Sequence, residues 1–61
     1  MTGTLRLLRT TDGYDVRRVN GALIHLGMVR RDGHEWTAKR PMAQTVTVHP
    51  TRRAAVAELS R

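Results

Sequence analysis

The sequence predicts an α+β domain in which an antiparallel β-meander of four to five strands packs on one C-terminal helix. Three dipeptides favour this fold, since Asp12-Gly13, Asn20-Gly21 and Asp32-Gly33 each separate segments rich in Val, Ile, Leu or Thr. Such pairs are typical of two-residue hairpin turns, because both turn positions need a positive φ that Asn, Asp and Gly tolerate best. After Pro50, apolar residues recur at a helical spacing.

The predicted strands are the segments between these turns, together with an extended segment after the break at Pro41. Two-residue turns join only antiparallel neighbours, so we expect each strand to pair with the next. The strands are predicted over residues 5–10, 14–19, 23–31, 34–40 and 44–49 of a single domain that covers residues 1–61.

The C-terminal helix is predicted over residues 51–60. Thr51 follows Pro50 and is a suitable N-cap, and Ala55, Val56 and Leu59 share one helical face. A helix of this length is marginal alone, so it must be stabilised by packing on the Trp36 side of the sheet.

Alternation along the strands divides the sheet into two faces, provided that the turns fix the register. Gly27 leaves room on the predicted core face, whose other members are Leu5, Leu7, Tyr14, Val16, Leu23, Val29, Trp36 and Ala38. The opposite face is predicted to carry Arg6, Arg17, Arg30 and Lys39 around Leu8, Val19, Ile24, Leu26 and Met28, with Glu35 across from Arg30.

The charge of the chain favours an anionic partner. Eleven Lys or Arg against five Asp or Glu give a net charge of +6. A balance of this kind raises affinity for nucleic acid or anionic membranes. Ten of the eleven basic residues are arginine, which suits phosphate recognition and is equally expected from codon bias in a GC-rich genome.

The start of the predicted helix is a candidate phosphate site. Arg52 and Arg53 lie in its first turn, where the positive end of the helix dipole mildly disfavours cations. Free backbone N–H groups at a helix start bind anions, and two guanidinium groups would add to that effect. The alternative interpretation is that both side chains simply point into water.

Two classes of function follow from these surfaces. In the first, the protein binds DNA or RNA through phosphate contacts made by Arg6, Arg17, Arg30, Lys39, Arg52 and Arg53. In the second, it is a protein-interaction module, and Ile24, Leu26 and Met28 form an apolar strip that pairs two copies or docks on a host or acidic protein.

Catalytic and metal-binding patterns are weak in this sequence. It has no cysteine and no glycine-rich phosphate loop, and the spacing of His25, His34 and His49 matches no familiar ligand set. We therefore predict no enzyme activity, no cofactor and no metal. No apolar stretch approaches the ~20 residues that cross a bilayer, and we expect a cytoplasmic protein that does not bind membranes.

The run from Gly27 to Ala38, followed by a gap and then by the run from Thr51 to Leu59, resembles the DNA-binding domains that combine a three-stranded sheet with a helix. These include the amino-terminal arm-binding domain of tyrosine recombinase integrases. The pattern also resembles short uncharacterised proteins of actinobacteria and their phages. The resemblance begins near Tyr14 and implies that Arg17, Arg30 and Lys39 face a major groove. The apolar residues of that face and the additional amino-terminal strand depart from the family.

Overall fold

A computed structural model describes residues 3–61 as one antiparallel sheet with a helix on one of its faces. The strands follow one another across the sheet in sequence order, which confirms the predicted α+β meander. The elements are β1 (Thr4–Arg9), β2 (Gly13–Asn20), β3 (Ala22–Asp32), β4 (Glu35–Lys39), β5 (Thr47–His49) and α1 (Arg52–Leu59).

The boundary of β5 differs most from the prediction. Only Thr47–His49 forms a strand, whereas the sequence predicted a strand over residues 44–49. The chain turns after β4 instead, with the backbone N–H of Ala43 donating to Arg40 O at 3.2 Å and with Met42 at φ 67°. The residues before Thr47 form the connection that returns the chain to pair with β4.

The first and third hairpins are paired two residues away from the predicted register. Arg9 pairs with Tyr14 rather than Val16, and Asp32 pairs with Glu35. The turn between β3 and β4 is therefore Gly33-His34, with Gly33 at φ 65°, and Glu35 does not lie across from Arg30 as predicted. A shift of two residues keeps each side chain on its predicted face.

The second hairpin contains a β-bulge that the sequence analysis missed. Arg17 pairs with His25 but Val16 pairs with Gly27, so Leu26 has no partner on β2. A bulge of one residue shifts the register by one and exchanges the faces beyond it. The predicted faces are therefore wrong for the part of β3 that precedes Gly27.

Gly27 allows this bulge to lie under the helix. Its φ is 145°, and a Cβ at this position would lie 2.8 Å from Leu59 Cδ2 and would collide with the carbonyl oxygen of Lys39. Any larger residue would therefore be strained at this φ and would displace the backbone of β4 at Lys39 or the side chain of Leu59. The predicted role of Gly27, to leave room on the core face, is confirmed.

The core lies between α1, which packs on strands β3, β4 and β5, and the covered face of the sheet, including β2. Its buried members come from both layers and are Val16, Val29, Ala38, Ala55 and Leu59. Trp36 packs against them, so the helix covers the predicted side of the sheet. Leu23 was predicted in this core, but it pairs with Val19 on the opposite face and its side chain is 60% exposed.

Both ends of α1 are capped by side chains. Thr51 Oγ1 accepts a hydrogen bond from Ala54 N at 3.1 Å, which confirms the predicted N-cap. At the other end, Arg18 donates to Ser60 O at 3.1 Å, and Arg40 donates to Glu58 O at 2.6 Å and to Leu59 O at 3.3 Å. These cations lie at the negative end of the helix dipole, where they are stabilising. Within residues 3–61, no helix is long and apolar enough to cross a membrane.

Candidate nucleic-acid interface

The sheet face that α1 leaves uncovered, here called the open face, carries four of the six basic residues predicted to bind nucleic acid. Arg6, Arg17 and His25 lie side by side in one cross-strand row, and Lys39 lies in the next row beside Met28. Arg30 follows one row later, across from Thr37. Asp32 and Glu35 close the opposite end of the face.

Two of these four cations are already paired with carboxylates. Arg17 lies 3.0 Å from Asp15, which also contacts His25, and Arg30 lies 2.7 Å from Asp12 in the β1–β2 loop. Partial burial would raise the pKa of the Asp15 carboxyl, but the hydrogen bonds and positive charges of Arg17 and His25 outweigh it and lower that pKa. Arg17 and Arg30 are thus less available for phosphate than the sequence predicted.

The open face as a whole is close to neutral. Its four cations are balanced by four carboxylates, namely Asp12, which reaches Arg30 from the loop, and Asp15, Asp32 and Glu35. Charge on this face therefore gives little net attraction for a polyanion.

The positive charge of the protein is concentrated on the helix side. Seven arginines lie there against the carboxylates of Glu58 and Asp12, the latter shared with the open face through its pair with Arg30, so at least +5 of the net charge of +6 lies on this side. These arginines are Arg9, Arg18, Arg31, Arg40, Arg52, Arg53 and Arg61.

The seven arginines divide between the two ends of α1. Arg18 and Arg40 bind the carbonyls at its C-terminal end, and Arg61 lies 3.0 Å from Glu58. The other four arginines, near the start of α1, form no ion pair with a carboxylate within residues 3–61. They are Arg9, Arg31, Arg52 and Arg53.

Three of these four side chains line a cleft of about 260 Å³, here called the arginine cleft. Arg9 ends β1, Arg31 lies near the end of β3, and Arg52 begins α1. The rest of its wall consists of Tyr14, Trp36, the β1–β2 loop of residues 10–12, and Gly13 at the start of β2. The strand pairing explains the arrangement, because Arg9 lies across from Tyr14 and Arg31 across from Trp36.

Aromatic rings hold the walls of the arginine cleft in place. The rings of Tyr14 and Trp36 stack with centroids 6.3 Å apart. The guanidinium carbon of Arg52 lies 4.9 Å from the Tyr14 centroid, a cation–π contact that orients the side chain. Arg31 Nε donates to Gly33 O at 3.1 Å, so its two terminal nitrogens remain free to bind an anion.

The six predicted basic residues do not form one surface. Arg52 lines the cleft and Arg53 is exposed beside it, whereas Arg6, Arg17, Arg30 and Lys39 share the opposite, open face. The sequence analysis missed Arg9 and Arg31. Strand alternation was the available signal, since each lies two residues after a core-face residue, Leu7 and Val29.

Ile24, Leu26 and Met28 do not form the predicted apolar strip, because the bulge separates them. Met28 lies on the open face and is 38% exposed. Leu26 packs against the core cluster on the helix side, and Ile24 pairs with Arg18, which reaches the helix terminus. Of the three residues, only Met28 is placed for an interface on the open face.

The histidines do not converge on a metal site in the described part of the chain. No group of three His, Cys, Asp or Glu side chains lies together there. His25 contacts Asp15, and His49 shares a hydrogen bond of 2.8 Å with Thr47 Oγ1.

Comparisons of the chain with protein-family models, with curated proteins and with solved structures find no match. The resemblance to integrase arm-binding domains stays a prediction from the sequence.

Proposed function

We propose that the protein is a non-catalytic DNA-binding protein that contacts phosphates through the arginines around the start of α1. The observation that carries the proposal is the segregation of charge. The open face is close to neutral, and four arginines without a carboxylate partner in residues 3–61 lie at one end of the helix side.

The start of α1 adds to the attraction of these arginines. Its first backbone N–H groups and the positive end of its dipole favour an anion. A cation is unfavourable at that position for the stability of the helix; Arg52 is compensated by its contact with Tyr14, whereas Arg53 has no such contact within residues 3–61 and is better explained by a ligand. The cation–π contact of Arg52 with Tyr14 fixes one guanidinium in advance, which reduces the entropy lost on binding.

A duplex titration at ~50 and ~200 mM salt tests the proposal, because phosphate binders lose much affinity over that range. With about four phosphate contacts, the log–log slope of affinity against salt should be near −3.6. The double variant Arg31→Gln with Arg52→Gln should bind the duplex more weakly. The magnitude of its slope should fall to about half, because about two of the four phosphate contacts are lost.

The matched control is Arg6→Gln with Lys39→Gln. It removes the same charge from two open-face residues that form no ion pair within the described residues. Its affinity and slope should stay near those of the wild type. Equal losses in the two double variants, or no binding of the wild type at low salt, would contradict the proposal.

A second candidate function is self-association through the open face, which the notable exposure of its apolar side chains favours. Leu8, Met28 and Val48 are 44%, 38% and 54% exposed there. The basic row of Arg6, Arg17 and His25 and the acidic pair Asp32 and Glu35 lie at opposite ends. A two-fold axis that lies in the plane of the face and runs across the strands would set this row of one copy, with Arg6 unpaired within residues 3–61, against the acidic pair of the other.

The mass of the protein in solution tests this second candidate. Met28→Asp should convert a dimer to a monomer and leave the phosphate affinity of each chain intact. Leu26→Asp is unsuitable for this purpose, because Leu26 packs on the core and its substitution would unfold the domain. A wild-type protein that is monomeric at all measured concentrations would rule out this function.

A further inference from the structure

The arginine cleft offers more positive charge than one backbone phosphate needs. Three guanidinium groups line it, and Asp12 is the one carboxylate in its wall within the described residues. Asp12 is already paired with Arg30 at 2.7 Å. A phosphodiester carries a single negative charge, whereas a terminal phosphate group carries about −1.5 to −2 at pH 7 and three strong acceptor oxygens.

The geometry of the arginines suits the same ligand. Arg31 has its two terminal nitrogens free, and the side chain of Arg9 forms no hydrogen bond or ion pair within the described part of the chain. A guanidinium group binds phosphate oxygens through parallel hydrogen bonds, which are stronger than neutral ones. Arg52 contributes its charge from a position fixed over Tyr14.

We propose that the arginine cleft binds a terminal phosphate group, the phosphomonoester at the end of a nucleic-acid strand. The protein would then recognise strand ends in addition to the continuous backbone. The choice of nucleic acid as the source of the phosphate rests on the proposed function, whereas the affinity of the cleft for a phosphate group does not.

Trp36 provides a direct readout of the cleft, since it is the single tryptophan of the chain and lies in the cleft wall. Titration with inorganic phosphate at constant ionic strength should give a saturable change in tryptophan fluorescence. Arg31→Gln should abolish the change, while Lys39→Gln, on the open face, should keep it. Circular dichroism of each variant checks that it is folded. A wild-type protein without a saturable response would overturn the proposal.

The second measurement identifies the source of the phosphate. One oligonucleotide duplex is compared with 5′-phosphate and with 5′-hydroxyl ends, and we expect about tenfold tighter binding of the phosphorylated form. Arg31→Gln should remove that difference. Equal affinity for the two duplexes, or stronger competition by a phosphopeptide than by the phosphorylated strand, would overturn recognition of strand ends.

The two measurements separate the two proposals. Salt-dependent binding of the 5′-hydroxyl duplex tests the proposed function alone. If that binding is absent while inorganic phosphate still changes the fluorescence, DNA binding fails and the phosphate affinity of the cleft stands. If the duplex binds and the phosphate response is absent, only the inference about the cleft fails.

Discussion

Asp15 shows how one side chain changes the role of its neighbours. It is the acceptor for both Arg17 and His25 on the open face, and it converts a row of three basic residues into a partly neutralised cluster. The sequence presented Arg17 as a free phosphate ligand. The pairing of Arg17 with Asp15 could be predicted, because residues two apart in a strand lie on the same face. The contact of His25 with Asp15 could not, because it depends on the bulged register of β2 and β3.

Replacement of Asp15 by Asn should change how stability depends on pH. The pKa of Asp15 in the folded protein lies below its ordinary value of 3.8. The stability that the charged carboxylate contributes is therefore complete above pH ~4 and is lost as the pH falls through the lowered pKa. Urea unfolding between pH 7 and pH 2 measures the free energy of unfolding of both proteins. The wild type should be more stable than the variant at pH 7, and this difference should decrease as the pH falls. Asp32→Asn is the control, because Asp32 forms no ion pair in residues 3–61, and it should show no such trend.

At the scale of the elements, α1 depends on arginines from the sheet to satisfy its last carbonyls. Arg40→Gln removes the donors to Glu58 O and Leu59 O. We expect a loss of about 1 kcal/mol, since the side chain is partly exposed, and a fall in Tm of about 4–8 °C. Arg61→Gln removes a more exposed arginine that pairs with Glu58 in the last turn, and it should change Tm very little. Thermal melts followed by circular dichroism measure the Tm of both variants. An equal fall in Tm for the two variants would contradict the role of Arg40.

The elements themselves were largely predictable because their signals are local. Turn dipeptides and alternation located the strands, and Thr51 located the start of the helix. The bulge was not predictable in this way, because a lone Gly27 in a strand indicates either a bulge or a close approach of another segment. Here it provides both. One unpaired residue, Leu26, was enough to place Ile24 and Met28 on different faces.

The whole molecule is held by a small core, so the loss of one large side chain should be severe. A chain of this length is expected to have a free energy of unfolding of about 3–9 kcal/mol. Leu59 is 1% exposed, and Leu59→Ala should remove about 2–5 kcal/mol of that. Val48→Ala, on the open face, should cost less than about 0.5 kcal/mol. Denaturant unfolding measures both values, and comparable losses would show that α1 is not the second layer of the core.

The candidate site was less predictable than the fold, because it depends on how charge is distributed in space. The net charge favoured an anionic partner but did not assign the excess charge to a face. The cleft brings together Arg9, Arg31 and Arg52 from the ends of three elements that are distant in sequence. Their association follows from strand pairing and from the position of α1, and neither is encoded in a local motif.

Among residues 3–61, strand β1 lies at the margin of the sheet and is paired along one side only, while α1 packs on β3, β4 and β5. Its amide protons should therefore exchange with solvent by local opening, at a lower free energy than those of β3. Arg9 ends this strand and belongs to the arginine cleft. An anion held there would bind only the closed form and would slow exchange along β1. Anion binding in the cleft and the local opening of β1 are then coupled, so the exchange rates of the β1 amides report how much of the cleft is occupied.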